Sequence, residues 1–272
     1  MGLQALIRDE LSLSSWLIVG GTLQALATTV LPRRFALIPI AFLATWGLTS
    51  LALTLIGYKT NSRLDGVRQG RFSALMPSSS TPSPSEKEDS TNDEDTTPGD
   101  VTLFILGVTS THPLGKLAPG MRDIGAHFQG MLNEAAANRT KYGFLGSSPP
   151  MLCTDSSSSN ALITLTYWRS PQHLREFNSG PTHTAGLRWY AKASKKYPHI
   201  GIMHELYSAK AGGWENVQHN FRPMGMSLTK YPIVQEDGQE EIVGAKILTG
   251  GPRMANMKAR MGVKLRSDDE EL

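Results

Sequence analysis

A chain of 272 residues with a formal net charge of +3, 19% charged residues and one cysteine excludes several classes of protein. It is long enough to bury a sizeable core. Its basic residues do not interleave with aromatics in a recognisable nucleic-acid motif, so no nucleic-acid partner is expected, and Cys153 alone permits no intrachain disulfide and suits a reducing compartment.

The mean hydropathy of −0.23 conceals an uneven distribution. No charged residue occurs from Leu11 to Pro32 or from Phe35 to Tyr58, and only Arg33 and Arg34 separate the two runs. Each is of membrane-spanning length, and neither leaves a polar face for solvent, so the expectation is a transmembrane helical hairpin rather than a buried one. The start "MGLQALIRDE" carries Asp9 and Glu10 as well as Arg8, a poor fit to a cleavable signal peptide, so residues 1–58 are expected to be an uncleaved two-helix anchor. Lys59, Arg63, Arg68 and Arg71 follow the second run; by the positive-inside rule the larger C-terminal part faces the cytosol, with the endoplasmic reticulum as the expected membrane. The Asn138 sequon would then stay unmodified.

Residues 59–100 read as a basic juxtamembrane segment followed by a linker. From Pro77 to Asp100 the sequence is almost wholly Ser, Thr, Pro and acidic residues, too poor in apolar surface to offset its ordering entropy, and is expected to be a disordered tether. The folded domain is expected at 101–250, starting with an apolar strand over Val101–Ser110. An apolar stripe of Leu117, Met121, Ile124, Phe128, Met131 and Ala135 predicts a helix. The segment "YGFLGSSPPMLCTDSSSSN" comes next, with a short strand and two turn-rich pieces expected in it. The strand Ala161–Ser170 follows, with Ala161, Ile163, Leu165 and Tyr167 expected toward the helices and Leu162, Thr164, Thr166 and Trp168 toward a pocket or a second sheet. Two helices, over "SPQHLREFNSGP" and "THTAGLRWYAKASKKYPH", precede the strand "HIGIMHELYSA". The order β, α, short β, β, α, β predicts an α+β, ferredoxin-like domain whose open sheet face is covered by a second copy in a dimeric α/β-barrel. Residues 251–272 read as a charged tail, either a short helix on the partner or a frayed end.

The stretch "IGIMHELYSAKAGGWENVQHNFRPMG" is rich in chemistry-bearing residues. His204 and Glu205 begin an H-E-x-x-H pattern, but position 208 is Ser and the context is a strand, so no metal site is expected. Strand parity puts His204 in a row with Ile200, Ile202 and Leu206, as either a hydrogen-bonded core residue or a base modified by burial. Glu205 lies on the opposite face, suited to pairing with a helix cation. Asn216, His219 and Asn220 in the exit loop are either polar site groups or turn caps. Trp168 and Trp214 are either pocket walls or packing. His183, near a helix N-terminus, is either a proton acceptor or a cap.

Taken in order, Tyr167-Trp168-Arg169-Ser170, then His183 and Trp189, then His204-Glu205-x-Tyr207, then Glu215-Asn216 and Asn220 resemble the signature of dimeric α/β-barrel monooxygenases related to the antibiotic-biosynthesis family, over roughly Val101 to Leu228. Where members often have Trp before the His-Glu pair, this chain has Met203. The resemblance implies a homodimer and O2 chemistry with no flavin, haem or metal, on a hydrophobic polyunsaturated polyketide in secondary metabolism. It assigns proton transfer to His204 or His183, oxyanion contacts to Asn216 and Asn220, and substrate contacts to Trp168, Tyr207, Trp189 and Trp214. Two other classes remain open: a haem-dependent dehydratase of the same fold with a His axial ligand, and a non-catalytic scaffold for a lipid-like metabolite.

Overall fold

Two apolar helices come first in the computed structural model, which describes residues 11–75, 99–154, 160–234 and 239–262 and divides into two units, residues 1–67 and 68–272. In the first unit α1 (Leu13–Val30) and α2 (Ile38–Leu55) are joined by a short turn at Arg33–Phe35. Ser12 caps α1, its Oγ accepting from the Ser15 N–H. Gln24 donates from Nε2 to the Ala36 carbonyl at 2.8 Å, fastening the turn to α1. No residue of either helix is buried, and both are long and apolar enough to cross a membrane. Eighteen residues rise about 27 Å, near the ~30 Å thickness of a hydrocarbon core.

In the second unit the central strand is β2 (Val101–Ser110), the apolar run that the sequence marks as a strand. It leads to α3 (Met121–Ala137), which begins later than its apolar stripe suggests, because Gly120 at φ +85° turns the chain left-handed just before it. A single turn, α4 (Arg139–Tyr142), leads into β3 (Phe144–Ser147) and a two-residue β4 (Met151–Leu152). Next come β5 (Leu162–Trp168), α5 (Pro171–Asn178), α6 (Pro181–Lys196) and β6 (Ile200–Ala209). The strands order β3-β5-β2-β6, with β4 on β5 and every pair antiparallel. That order, with α3 and α6 packed together, is the ferredoxin-like arrangement.

The faces of β5 are opposite to expectation. Trp168, 2% exposed, enters the cluster of Ala135, Tyr142, Phe144, Leu174 and Phe177 beneath the helices. Tyr167 points the other way, into Val101, Leu145, Trp214 and Tyr231. The hydroxyl-bearing face tolerates burial because its polar atoms are paired: Trp168 Nε1 donates to Thr166 Oγ1, and Thr166 Oγ1 donates to the Phe104 carbonyl.

The rest of this unit revises the expected domain limits. Arg68–Leu75, placed in the juxtamembrane segment by the sequence reading, is β1 of a second antiparallel sheet, between β7 (Gln218–Phe221) and β10 (Lys246–Leu248). Its last four residues are buried, with Leu75 packed on Leu248 and Met254. The expected tether falls mostly on residues 76–98, outside the described residues. The described residues on either side of it, up to 75 and from 99, belong to one unit. The tail from 251 also packs: Arg253 and Met254 are buried, and in α7 (Met257–Arg260) the Arg260 guanidinium pairs with Glu215. Residues 263–272 lie outside the described residues. A hairpin of β8 (Lys230–Val234) and β9 (Glu240–Gly244) brings Tyr231 and Val243 over the open sheet face.

That cover stops short of β6. From Ile202 to Ser208 the strand is exposed on both faces, with Ile202 45% and Tyr207 56% accessible. An exposed apolar edge strand is a pairing surface.

Candidate active site at the rim of an aromatic cluster

Packed rings fill the space between β5 and the helices: Phe144 and Trp168 meet edge-to-face, 4.9 Å apart between centroids, and Trp168 and Phe177 are tilted, 5.1 Å apart. Phe104 of β2 packs on the same cluster. Two of the predicted histidines stand at its margin. The His204 ring lies 5.2 Å from Phe104, and the His183 ring 5.9 Å from Phe177.

His183 is the better defined of the two. Pro181 opens α6, and His183 at the third helical position places its Nδ1 2.8 Å from the carbonyl of Asn178, the last residue of α5. A carbonyl only accepts, so Nδ1 carries the hydrogen and donates it; Nε2 of the neutral ring is left as the proton acceptor. His204 does not occupy the buried position expected of it. The edge strand exposes it, although the parity that separates it from Glu205 holds, since His204 pairs in register with Leu106 and Glu205 with Ile105. Glu205 does not meet a helix cation either: it accepts a hydrogen bond from the Tyr207 hydroxyl at 2.7 Å, and this bond raises the phenol's pKa.

Four expected site residues are committed to the scaffold. Trp168 is packed beneath the helices. Trp214 lies on the opposite face of the sheet, its Nε1 donating to the Gly99 carbonyl at 2.8 Å. Asn216 is no oxyanion donor: its Nδ2 donates to the Ala74 carbonyl at 2.7 Å and its Oδ1 accepts from the Ala74 N–H at 2.8 Å, so it pairs β1 as a strand would. Asn220, at φ +49°, accepts from the Gly70 N–H at 2.8 Å and closes the end of the β1–β7 pair.

Trp189 belongs to a groove of about 440 Å³ between α3 and α6, lined by Asp123, Ala126, His127, Gly130, Thr182 and Trp189. The His127 ring lies 4.9 Å from Trp189. His127 sits one step off the apolar stripe of α3, and its spacing of three from Ile124 is the signal that it flanks the core.

Glu134 caps the start of α6 at Thr182, one residue before His183 in the chain. Its Oε2 accepts from the Thr182 N–H at 3.2 Å and its Oε1 from the Tyr142 hydroxyl at 3.0 Å, capping α6 from a neighbouring helix where Gly180 supplies no side chain. Hydrogen bonding from the Thr182 side chain, and then from Tyr142 and the Thr182 backbone, holds this carboxyl below the usual glutamate range. Burial pushes the Tyr167 and Tyr231 phenols upward. Among the described residues no cluster of His, Cys, Asp and Glu could hold a metal ion.

Residues 101–226 match the family described as monooxygenase af470-like. The match takes in every strand of the ferredoxin-like sheet and both histidines at the cluster margin. The chain is also 27% identical over 256 residues to Monooxygenase af470 of Aspergillus fumigatus, an alignment covering 93% of this chain and 88% of that protein. Among solved structures it is similar to SnoaB, a cofactor-independent oxygenase from Streptomyces nogalater, at 18% identity, 40% of this chain, 92% of that one and a TM-score of 0.27. It is also similar to an aldoxime dehydratase at 16% identity, 56% of this chain, 35% of that one and a TM-score of 0.32. The assignment of this domain to the ferredoxin-like fold rests on its own strand order.

Proposed function

We propose that this chain is a membrane-anchored monooxygenase that brings O2 and a hydrophobic, polyunsaturated polyketide together without flavin, haem or metal. The observation that carries the reading is His183: its Nδ1 is anchored on the Asn178 carbonyl, which turns Nε2 into the ring's proton-accepting position, and an aromatic cluster lies beside it. Removing a proton from an electron-rich substrate is the step such a reaction asks of a protein, with orientation and exclusion of water supplying the rest. Breaking one C=C bond into two aldehyde ends takes up both atoms of one O2, the four electrons coming from the bond that is broken, and carrying an end on to a carboxyl takes a further O2. The specific form proposed is oxidative cleavage of a polyene chain to an aldehyde or carboxyl end in secondary metabolism.

His204, Trp189 and Tyr207 complete the proposed site, His204 as a second proton-transfer candidate and the other two as substrate contacts. The exposed β6 edge supports a homodimer in which a second copy covers Met203 and Tyr207. The apolar hairpin supports two spans, with the domain on the cytosolic side of the endoplasmic reticulum following the basic residues after α2. The test is turnover of a polyene substrate under ¹⁸O2 by protein purified without added cofactor. Label in the new carbonyl end, with loss of turnover in folded His183→Ala protein, is expected. Turnover that needs added haem or flavin, or that survives both His183→Ala and His204→Ala, overturns the reading.

A further inference from the structure

We propose that the exposed end of the β1–β7 ribbon is a membrane-contact surface that lies against anionic lipid headgroups. It rests on the reading of α1 and α2 as a bilayer anchor. Residues 68–71 of β1 and 219–222 at the end of β7 are exposed, whereas 72–75 are buried. In register, Arg68 stands opposite Phe221 and Arg71 opposite His219, with an irregularity between the two pairs. Phe221 is 47% accessible, an apolar ring open to contact beside these arginines.

The end of the ribbon is held in shape. Asn220 accepts from the Gly70 N–H, the Arg71 Nη2 donates to the Met254 carbonyl, and the Arg68 guanidinium lies 5.6 Å over the Phe72 ring. Arg68, Arg71 and Arg222 bring three positive charges to this end, and 66–75 and 216–234 contain no acidic residue. An exposed aromatic among arginines is the composition of a headgroup-level contact. Chain length agrees. Residues 56–67, between the end of α2 and Arg68, reach at most roughly 40 Å even when fully extended, and the turn at Ser62–Leu64 shortens them. The occupant favoured is therefore the bilayer that would hold the hairpin.

The test uses the full chain in nanodiscs of phosphatidylcholine with phosphatidylserine. A nitroxide is placed at Phe221→Cys, or at His219→Cys as a second variant, in a Cys153→Ser background, with Leu187→Cys on exposed α6 as control. Collisions with a water-soluble nickel chelate are expected to fall several-fold at 221 relative to 187 while collisions with oxygen rise. Arg68→Gln with Arg222→Gln, or discs of phosphatidylcholine alone, should return the 221 label toward the control. A 221 label as open to the chelate as 187 overturns the proposal. So does protection that persists in detergent without lipid, which would identify a second copy as the occupant. Carbonate extraction separates the two readings: protein released by carbonate overturns the anchor and the ribbon contact with it, whereas carbonate-resistant protein with an open label overturns the ribbon contact alone.

Discussion

Replacing Asn216 by alanine separates a structural role from a catalytic one. The Asn216 amide makes both hydrogen bonds that a neighbouring strand would make to Ala74, at 2.7 and 2.8 Å, and Ala74 is 1% exposed. Asn216→Ala leaves a buried N–H and a buried carbonyl without partners, at about 1–3 kcal/mol each, so a loss of roughly 2–6 kcal/mol is expected. For a domain of this size each kcal/mol lowers the melting temperature by about 2–4 °C, giving a fall of roughly 4–24 °C. Asn216→Asp should do no better at neutral pH, because a carboxylate oxygen would then face the Ala74 carbonyl. The assay is thermal unfolding of detergent-solubilised protein, paired with turnover measured well below the melting range. An oxyanion donor would behave differently, losing about 10²–10³-fold in rate with its melting temperature intact. That pattern would refute the clasp, as would a melting temperature within about 1 °C of the parent.

Four other outcomes are expected. His183→Asn keeps an N–H for the Asn178 carbonyl but removes the Nε2 acceptor, so turnover should fall about 10²–10⁴-fold with stability held, read from kcat at constant melting temperature. Glu134→Gln should cost about 0.5–1 kcal/mol near pH 7. Because the folded-state carboxyl titrates below its unfolded value, the wild-type advantage is present above the unfolded pKa of about 4.3 and disappears as pH falls through the lower folded value, as urea titrations at neutral and acid pH would show. Gly120→Ala puts a Cβ at φ +85° and 2.6 Å from the Tyr197 ring, for a destabilisation of roughly 2–4 kcal/mol by urea unfolding. Met203→Glu, beside Glu205 and Tyr207 on the exposed edge, should convert a dimer to monomer by light scattering, while the domain melts within about 1 °C of the parent.

What was legible in the sequence was local. The uncharged runs gave the hairpin helices, the apolar runs gave β2, β5 and β6, and alternation separated His204 from Glu205. What failed depended on partners far along the chain. Arg68–Leu75 has no strong strand pattern, and it becomes a strand only by pairing with Gln218–Phe221 and Lys246–Leu248. Its clasp, Asn216, is 142 residues away in sequence, and nothing in "WENVQHN" distinguishes an amide aimed at a backbone from one aimed at a substrate. The β5 faces were misread because hydroxyls were counted as polar surface, whereas Thr166 satisfies the Trp168 indole and is itself satisfied by Phe104. The exposure of His204 follows from β6 being an edge strand, a fact of strand order and not of the strand's own residues.

The motif Tyr167-Trp168-Arg169-Ser170 shows how such a signature can report construction as much as chemistry. Tyr167 and Trp168 fill the cores on opposite faces of the sheet. The Arg169 Nη2 donates to the Pro232 carbonyl at 2.8 Å, fixing the β8–β9 hairpin, and Ser170 caps α5 by accepting from the His173 N–H. Four consecutive residues thus bind two cores, a hairpin and a helix around one strand end. Glu215, Asn216 and Asn220 do the same for α7 and β1. Once these side chains are committed, the proton-transfer chemistry proposed for the motif residues contracts to two histidines, and only His183 has a hydrogen bond that fixes its tautomer. If the reaction needs a positioned base rather than an accessible one, His183→Asn should cost more turnover than His204→Asn; the reverse order would assign the proton to the exposed edge and make the second copy part of the site.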